Sequence, residues 1–197
     1  MKKILIYVLA VIAILLTSCE KKKAQPYALQ ESVVLSKTSV ERAIANDRQF
    51  MYKNYGNDYV WYETCVKLIT FIDQECDGAI ESVGNVFQYS KGANTFVVLS
   101  TYIDDKHTIE VQKGFWVEDF NMNNDPIRIT YKQAFSNMMA ANYPKPHSRN
   151  CILRKPVGPK ACNPQWVFGN IEQQLWVDAV TGEVRNSNPA FDIDDNE

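Results

Sequence analysis

The residues most capable of chemistry lie in the stretch QLWVDAVTGEVR, Gln174 to Arg185. Asp178 and Glu183 are two acids close together, the raw material of a general acid/base pair. Such a pair needs carboxylates converging across a cleft. No His, Lys or Arg lies between Asp178 and Glu183 to complete a site. Leu175, Val177 and Ala179 alternate with Trp176 and Asp178, and Val184 resumes the apolar face, so the spacing predicts two paired strands. Asp178 is then a turn residue bonding nearby amides, and Thr181-Gly182 makes the reversal, where Gly adopts positive φ at little cost. Elsewhere, Ser148 beside His147 is sequence adjacency and not a nucleophile–base dyad. Zinc needs close Cys or His pairs, which the cysteine spacing and the two histidines do not supply. The acidic end, NSNPAFDIDDNE, lacks the Gly-centred loop of a calcium site. The expectation is a chain with no catalytic residues, no metal and no cofactor.

The N-terminus carries a different kind of chemistry. Lys2 and Lys3 precede an unbroken apolar run, Ile4 to Leu16. That run is shorter than the ~20 residues a spanning helix requires, and its basic start fits a secretory signal. It ends in Leu16-Thr17-Ser18-Cys19, which resembles a bacterial lipoprotein lipobox. The resemblance implies cleavage before Cys19, acylation of that thiol and attachment to a membrane, since two or more acyl chains anchor stably. Residues 1–19 are therefore read as signal and 20–37 as a solvated tether. Glu20 rather than Asp follows the cysteine, so a retention signal for the inner membrane is absent. A cell-envelope location at the outer membrane is expected from that analogy.

Without Lys2 and Lys3, 19 basic residues face 23 acidic ones. A mildly acidic exported chain gives no reason to expect nucleic acid. Export also means an oxidising compartment, where an even number of cysteines suggests disulfides. Cys65 and Cys76 are separated by ten residues, as are Cys151 and Cys162. Four cysteines allow three connectivities, and the equal spacing favours Cys65–Cys76 and Cys151–Cys162. Each closed loop would contribute ~3 kcal/mol in the chain-entropy model.

The elements that must position these residues follow from periodicity. Tyr131, Ala134, Phe135, Met138 and Met139 form one helical stripe, with Thr130 and Gln133 as a capping box and Pro144 beyond the end. Val40, Ala43, Ile44, Phe50 and Met51 form a similar stripe interrupted by Asp47, capped by Thr38 or Ser39 and stopped by Gly56. Strands are expected over 59–72, 80–89, 95–103 and 108–118, then over 151–153, 165–168, 174–179 and 183–185. A helix, an Asn-Tyr-turn and a cysteine pair thus occur twice in the same order, which reads as an internal repeat. The predicted fold class is α+β: a helix packed on a curled antiparallel sheet, in two tandem units at 38–120 and 127–186, followed by an acidic tail, 187–197.

The stretch LWVDAVTGEV resembles the closing hairpin of PepSY-type modules, and ITYKQAF, Ile129 to Phe135, resembles the start of their helix. The resemblance covers residues 127–185. The Cys151–Cys162 loop and the long connection from Asn142 to Asn150 depart from the family pattern. A cystatin-like unit fits the first half equally. The resemblance implies a small envelope module that binds or restrains another protein, in some cases a peptidase, and no catalytic residues. The segment from Pro144 to Lys160 has no acid. Its Lys145, His147, Arg149, Arg154, Lys155 and Lys160 are the candidate partner-binding residues, suited to an acidic partner or an anionic lipid head group. A second expectation is a small-ligand or glycan binder using exposed aromatics. It requires Trp61, Trp116, Trp166 or Trp176 to face a groove rather than the core.

Overall fold

The computed structural model describes residues 39–192, apart from Gln74, Asp105 and Glu118. The signal segment, Cys19, the tether and the last residues of the acidic tail lie outside the described residues. Two helices, α1 (Val40–Tyr55) and α2 (Tyr131–Ala140), accompany eight strands. These are β1 (Tyr59–Leu68), β2 (Ile80–Lys91), β3 (Asn94–Ile103), β4 (Lys106–Lys113), β5 (Asn150–Arg154), β6 (Gln165–Gly169), β7 (Gln174–Asp178) and β8 (Val184–Arg185). Among the described residues no helix is long and apolar enough to cross a membrane.

Local signals set the helices. Ser39 Oγ accepts from the Arg42 amide, and Gly56, at φ 67°, donates its amide to Tyr52 O to end α1. Thr130 and Gln133 form the capping box that starts α2. Ala141 is already extended, so α2 stops before Pro144. Lys145 then reaches back, its Nζ donating to the carbonyls of Met138, Ala141 and Tyr143 at 2.9, 2.6 and 3.1 Å. A cation over the last carbonyls satisfies acceptors the helix leaves open.

The architecture corrects the expected fold class. All eight strands belong to one antiparallel sheet in the order β4-β3-β2-β1-β5-β6-β7-β8. The two tandem helix-plus-sheet units are overturned by the ladder between β1 and β5, which runs from Glu63 opposite Arg154 to Lys67 opposite Asn150. Both helices lie on one face of this sheet. Val40, Ala43 and Met51 of α1 share a single core with Tyr131, Ala134 and Met138 of α2, through Trp61, Val66, Phe87, Leu153, Trp166 and Phe168. The sheet dominates the structure, and the helices cover one side of it. The order of one helix and then four meandering strands does occur twice, but inside one sheet and around one core.

The outer face follows by alternation. Val66 and Cys151 face each other on the helix side, so Glu63, Cys65, Ile152 and Arg154 point the other way. A strap, residues 114–117 and 119–123, crosses that face. The Trp116 amide donates to Gln88 Oε1 at 2.7 Å. Asp119 bridges to Pro156 and accepts from Arg154 Nε at 2.6 Å. The Phe120 and Met122 amides then donate to the carbonyls of Lys155 and Trp61.

The cysteine pairing is a second correction: all four thiols are free. Cys65 points to the outer face, whereas Cys76 packs against the core on the helix side, with Thr70 Oγ1 at 3.4 Å from its sulfur. Cys151 lies opposite Phe168 and Arg154 opposite Gln165, so Cys162 sits beyond the far end of β5. Three strand residues span ~10 Å, more than the ~7 Å within which the two Cα atoms of a disulfide must lie. Non-reducing mass mapping of the mature protein is expected to show neither a Cys65–Cys76 nor a Cys151–Cys162 peptide. Either one would contradict the placement of these residues.

Candidate functional site

The turn after β7 is built around Asp178. Its Oδ1 accepts the amides of Val180 and Thr181, both at 2.8 Å. Its Oδ2 accepts from Asn163 Nδ2 at 3.0 Å and Gln165 Nε2 at 3.4 Å. The Gly182 amide returns to Asp178 O, and Gly182 sits at φ 79°, where a Cβ would come within 2.7 Å of Asn137 Nδ2. Burial alone would raise the Asp178 pKa, but the hydrogen bonds from Thr181, Asn163, Val180 and Gln165 together outweigh it, and the carboxyl lies below its ordinary value. Glu183 is turned to Arg185, 3.0 Å away. Both acids border one open groove of about 390 Å³ with Lys155, Lys160, Cys162 and Arg185. The carboxylate of Asp178 is nevertheless committed to holding the turn.

The basic segment does not form a patch. Lys145 caps α2. His147 stacks on Phe71, with ring centroids 4.3 Å apart. Arg149 donates to Leu68 O at 2.8 Å and pairs with Glu81. Arg154 pairs with Asp119 under the strap. Lys155 pairs with Asp125 at 2.9 Å, and the Lys160 amide donates to Ala190 O. Only Arg154 of these residues lies on β5, and Arg149, Arg154 and Lys155 meet acids from distant parts of the chain.

Ser148 is buried, donating to Gly169 O at 3.0 Å and accepting the Asn150 amide. Its hydroxyl is thus bonded to Gly169 and Asn150 rather than to the His147 ring. Trp61 and Trp166 are fully buried, their indole nitrogens donating to Glu63 O and Ile129 O. Trp176 is buried as well. Trp116 is half-buried, with its indole nitrogen enclosed and unpartnered. Burial, then the charges of Glu63 and Asp119, pushes the Cys65 thiol pKa up to about 12. Burial likewise raises Cys151 and Cys162. Among the described residues no group of three or more His, Cys, Asp or Glu is placed to hold a metal ion.

One cluster is absent from the sequence reading. Asp47 of α1 is buried, and its carboxylate accepts from Asn85 Nδ2 and from Tyr102 OH, both at 2.6 Å. Thr64 Oγ1 donates to Asn85 Oδ1 at 2.6 Å. His107 stacks on Tyr102 at 4.0 Å, and its Nε2 lies 2.7 Å from Ser100 Oγ and 3.3 Å from Asp47 Oδ1. Asp, His and Ser together suggest a hydrolytic relay. That relay needs the acid and the serine on different ring nitrogens, and here both meet Nε2. The cluster instead ties α1 to β2, β3 and β4. Burial, then the charge of Asp47, raises the Tyr102 pKa, so the phenol stays protonated as a donor. The signal in the sequence was Asp47 itself, an acid on an otherwise apolar stripe.

The strap carries three exposed large apolar groups within six residues of chain. Phe115 is 74% exposed, Val117 80% and Phe120 46%. They are presented by backbone that is fixed at Trp116, Asp119, Phe120 and Met122. Compared with models of protein families, with curated proteins and with solved structures, the chain returns no match.

Two outcomes follow for stability. Tyr102→Phe removes a hydrogen bond to a buried charge and is expected to lower the unfolding free energy by about 1.5–3 kcal/mol in urea titration. A change near zero would mean that the cluster holds nothing. Asp178 has a depressed folded pKa, so its contribution is present above the unfolded value of about 3.9 and is lost as pH falls through the lower folded one. Asp178→Asn is therefore expected to destabilise at neutral pH, with the difference from the wild type shrinking below about pH 4.

Proposed function

We propose that this protein is a lipid-anchored cell-envelope module that binds another protein without catalysing a reaction, using the strap as its contact surface. The observation that carries the reading is the pinned apolar ridge of Phe115, Val117 and Phe120. Large exposed apolar groups close together mark interaction sites. Rigid backbone lowers the entropy lost when such groups dock. The buried side of the same segment is fastened to Gln88 and Arg154, so the ridge faces outward without disturbing the sheet. The lipobox-like Leu16 to Cys19 supports membrane attachment, most directly to the outer membrane. The basic residues of 144–160 support no separate docking loop, because their partners lie within the chain.

Two measurements separate the parts of this reading. Cys19→Ser is expected to move the protein from the membrane fraction to the soluble fraction and abolish palmitate labelling. Unchanged partition would remove the anchor from the account. A photo-crosslinking residue at Val117 in intact cells is expected to trap a discrete protein adduct. Phe115→Asp is expected to diminish that adduct about tenfold or more, as loss of a hot-spot aromatic does, with an unchanged unfolding midpoint. A lipid-only adduct, or none, would overturn the protein-binding reading.

A further inference from the structure

The two edges of the sheet are unlike each other. At one end β8 has only two residues, Val184 and Arg185. The chain beyond it folds back, with Arg185 and Ser187 both bonded to Asp192. At the other end β4 has eight residues and pairs with β3 without a bulge, from Ile103 opposite Lys106 to Phe96 opposite Lys113. No described element lies beyond β4, and the strap leaves from Gly114 across the outer face rather than along the edge. A long regular edge presents a row of unpaired amides and carbonyls, a template for another strand.

The residues of β4 state which strand. Lys106, Thr108 and Glu110 alternate along the outer face, and all three are exposed. Neither Lys106 nor Glu110 has an ion-pair partner among the described residues. They cannot pair within one strand, since four residues of extended chain separate them by ~13 Å. An antiparallel copy of β4 centred on Thr108 brings Lys106 opposite Glu110 of the second chain, and Glu110 opposite its Lys106. Thr108 then meets Thr108, and His107 meets Ile109 on the helix side. Opposite charges and Thr–Thr pairs directly across a ladder are the favourable cross-strand contacts. A two-fold axis repeats each contact, as an isologous interface requires.

We infer that two copies of this chain associate edge to edge through β4, in the register that places Thr108 opposite Thr108. The occupant of the edge is a second copy because the charge pattern of β4 complements itself. The contact is small, so it forms where copies are concentrated, as chains held on one membrane are. It uses a different surface from the strap and does not rest on the proposed binding role, only on the proposed membrane anchor for its local concentration.

The test is disulfide trapping in the full-length chain in its native membranes, with the unsubstituted chain as baseline for the native thiols. In the proposed register the Cα atoms at 108 are roughly 4.5–5.5 Å apart, within the range a disulfide accepts. Diamide accepts the two thiol hydrogens as the sulfur–sulfur bond forms. Thr108→Cys is expected to give a homodimer on non-reducing gels, and Gln112→Cys, also exposed but off the axis, little above baseline. Adding Lys106→Glu to Thr108→Cys turns both cross-strand pairs repulsive and is expected to cut the dimer about tenfold. Adding Glu110→Lys as well restores the pairing and the yield. Equal trapping at positions 108 and 112, failure of the charge reversal to restore the dimer, or trapping chiefly to a different protein would each overturn the inference.

Discussion

The ladder between β1 and β5 is the constraint on which the rest of the structure depends. Five consecutive pairings, Glu63 with Arg154 through Lys67 with Asn150, join two runs of strands that could otherwise close separate sheets. Because they are joined, α1 and α2 cover one face together. Glu41 of α1 can then accept the Tyr131 amide at the start of α2, at 2.7 Å. The same ladder decides which side each residue occupies. It sends Val66 and Cys151 into the core, and Cys65 and Arg154 to the outer face. A slip of one residue would exchange those sets.

The outer face is where the account of function lies. Arg154 emerges there and holds Asp119, and Asp119 holds the strap. Asp119 Oδ2 and Trp116 Nε1 are buried without a hydrogen-bond partner among the described residues. On the helix side, buried Asp47 accepts from donors on β2 and β3, with the His107 ring of β4 beside it. Polar groups thus have two uses in this molecule. Asp47, Tyr102 and His107 fix one helix to the sheet, and Arg154, Asp119 and Gln88 present an apolar ridge to the outside.

Local features were legible in the sequence. Ser39, Thr130 with Gln133, and Gly56 mark helix ends through bonds that span a few residues. The same is true of the turn at Asp178, which the chain Val177 to Val184 encodes almost alone. The strand segments were visible too, although the run expected over 108–118 ends at Lys113, where Gly114 starts the strap. What was not legible depends on register between distant segments. Nothing local in the sequence tells β5 to pair with β1. Without that pairing the ten-residue spacing of Cys65 and Cys76 looks like a closed loop, although the two thiols lie on opposite sides of the sheet. The basic run from Pro144 to Lys160 looked like one surface for the same reason. Its partners Glu81, Asp119 and Asp125 come from segments far away in the chain. Asp47 was visible as an interruption of a helical stripe, but its partners lie on β2, β3 and β4 and could not be named from spacing.

Native-state hydrogen exchange tests the central claim most directly. If β1 and β5 make one sheet around one core, the slowest amides of β1, β2, β5 and β6 share a single opening free energy and a single denaturant dependence, that of global unfolding. If the amides of β5, β6 and β7 open at a distinctly lower free energy while β1, β2 and β3 stay protected, the two halves are separate folding units and the account of a single fused sheet is wrong.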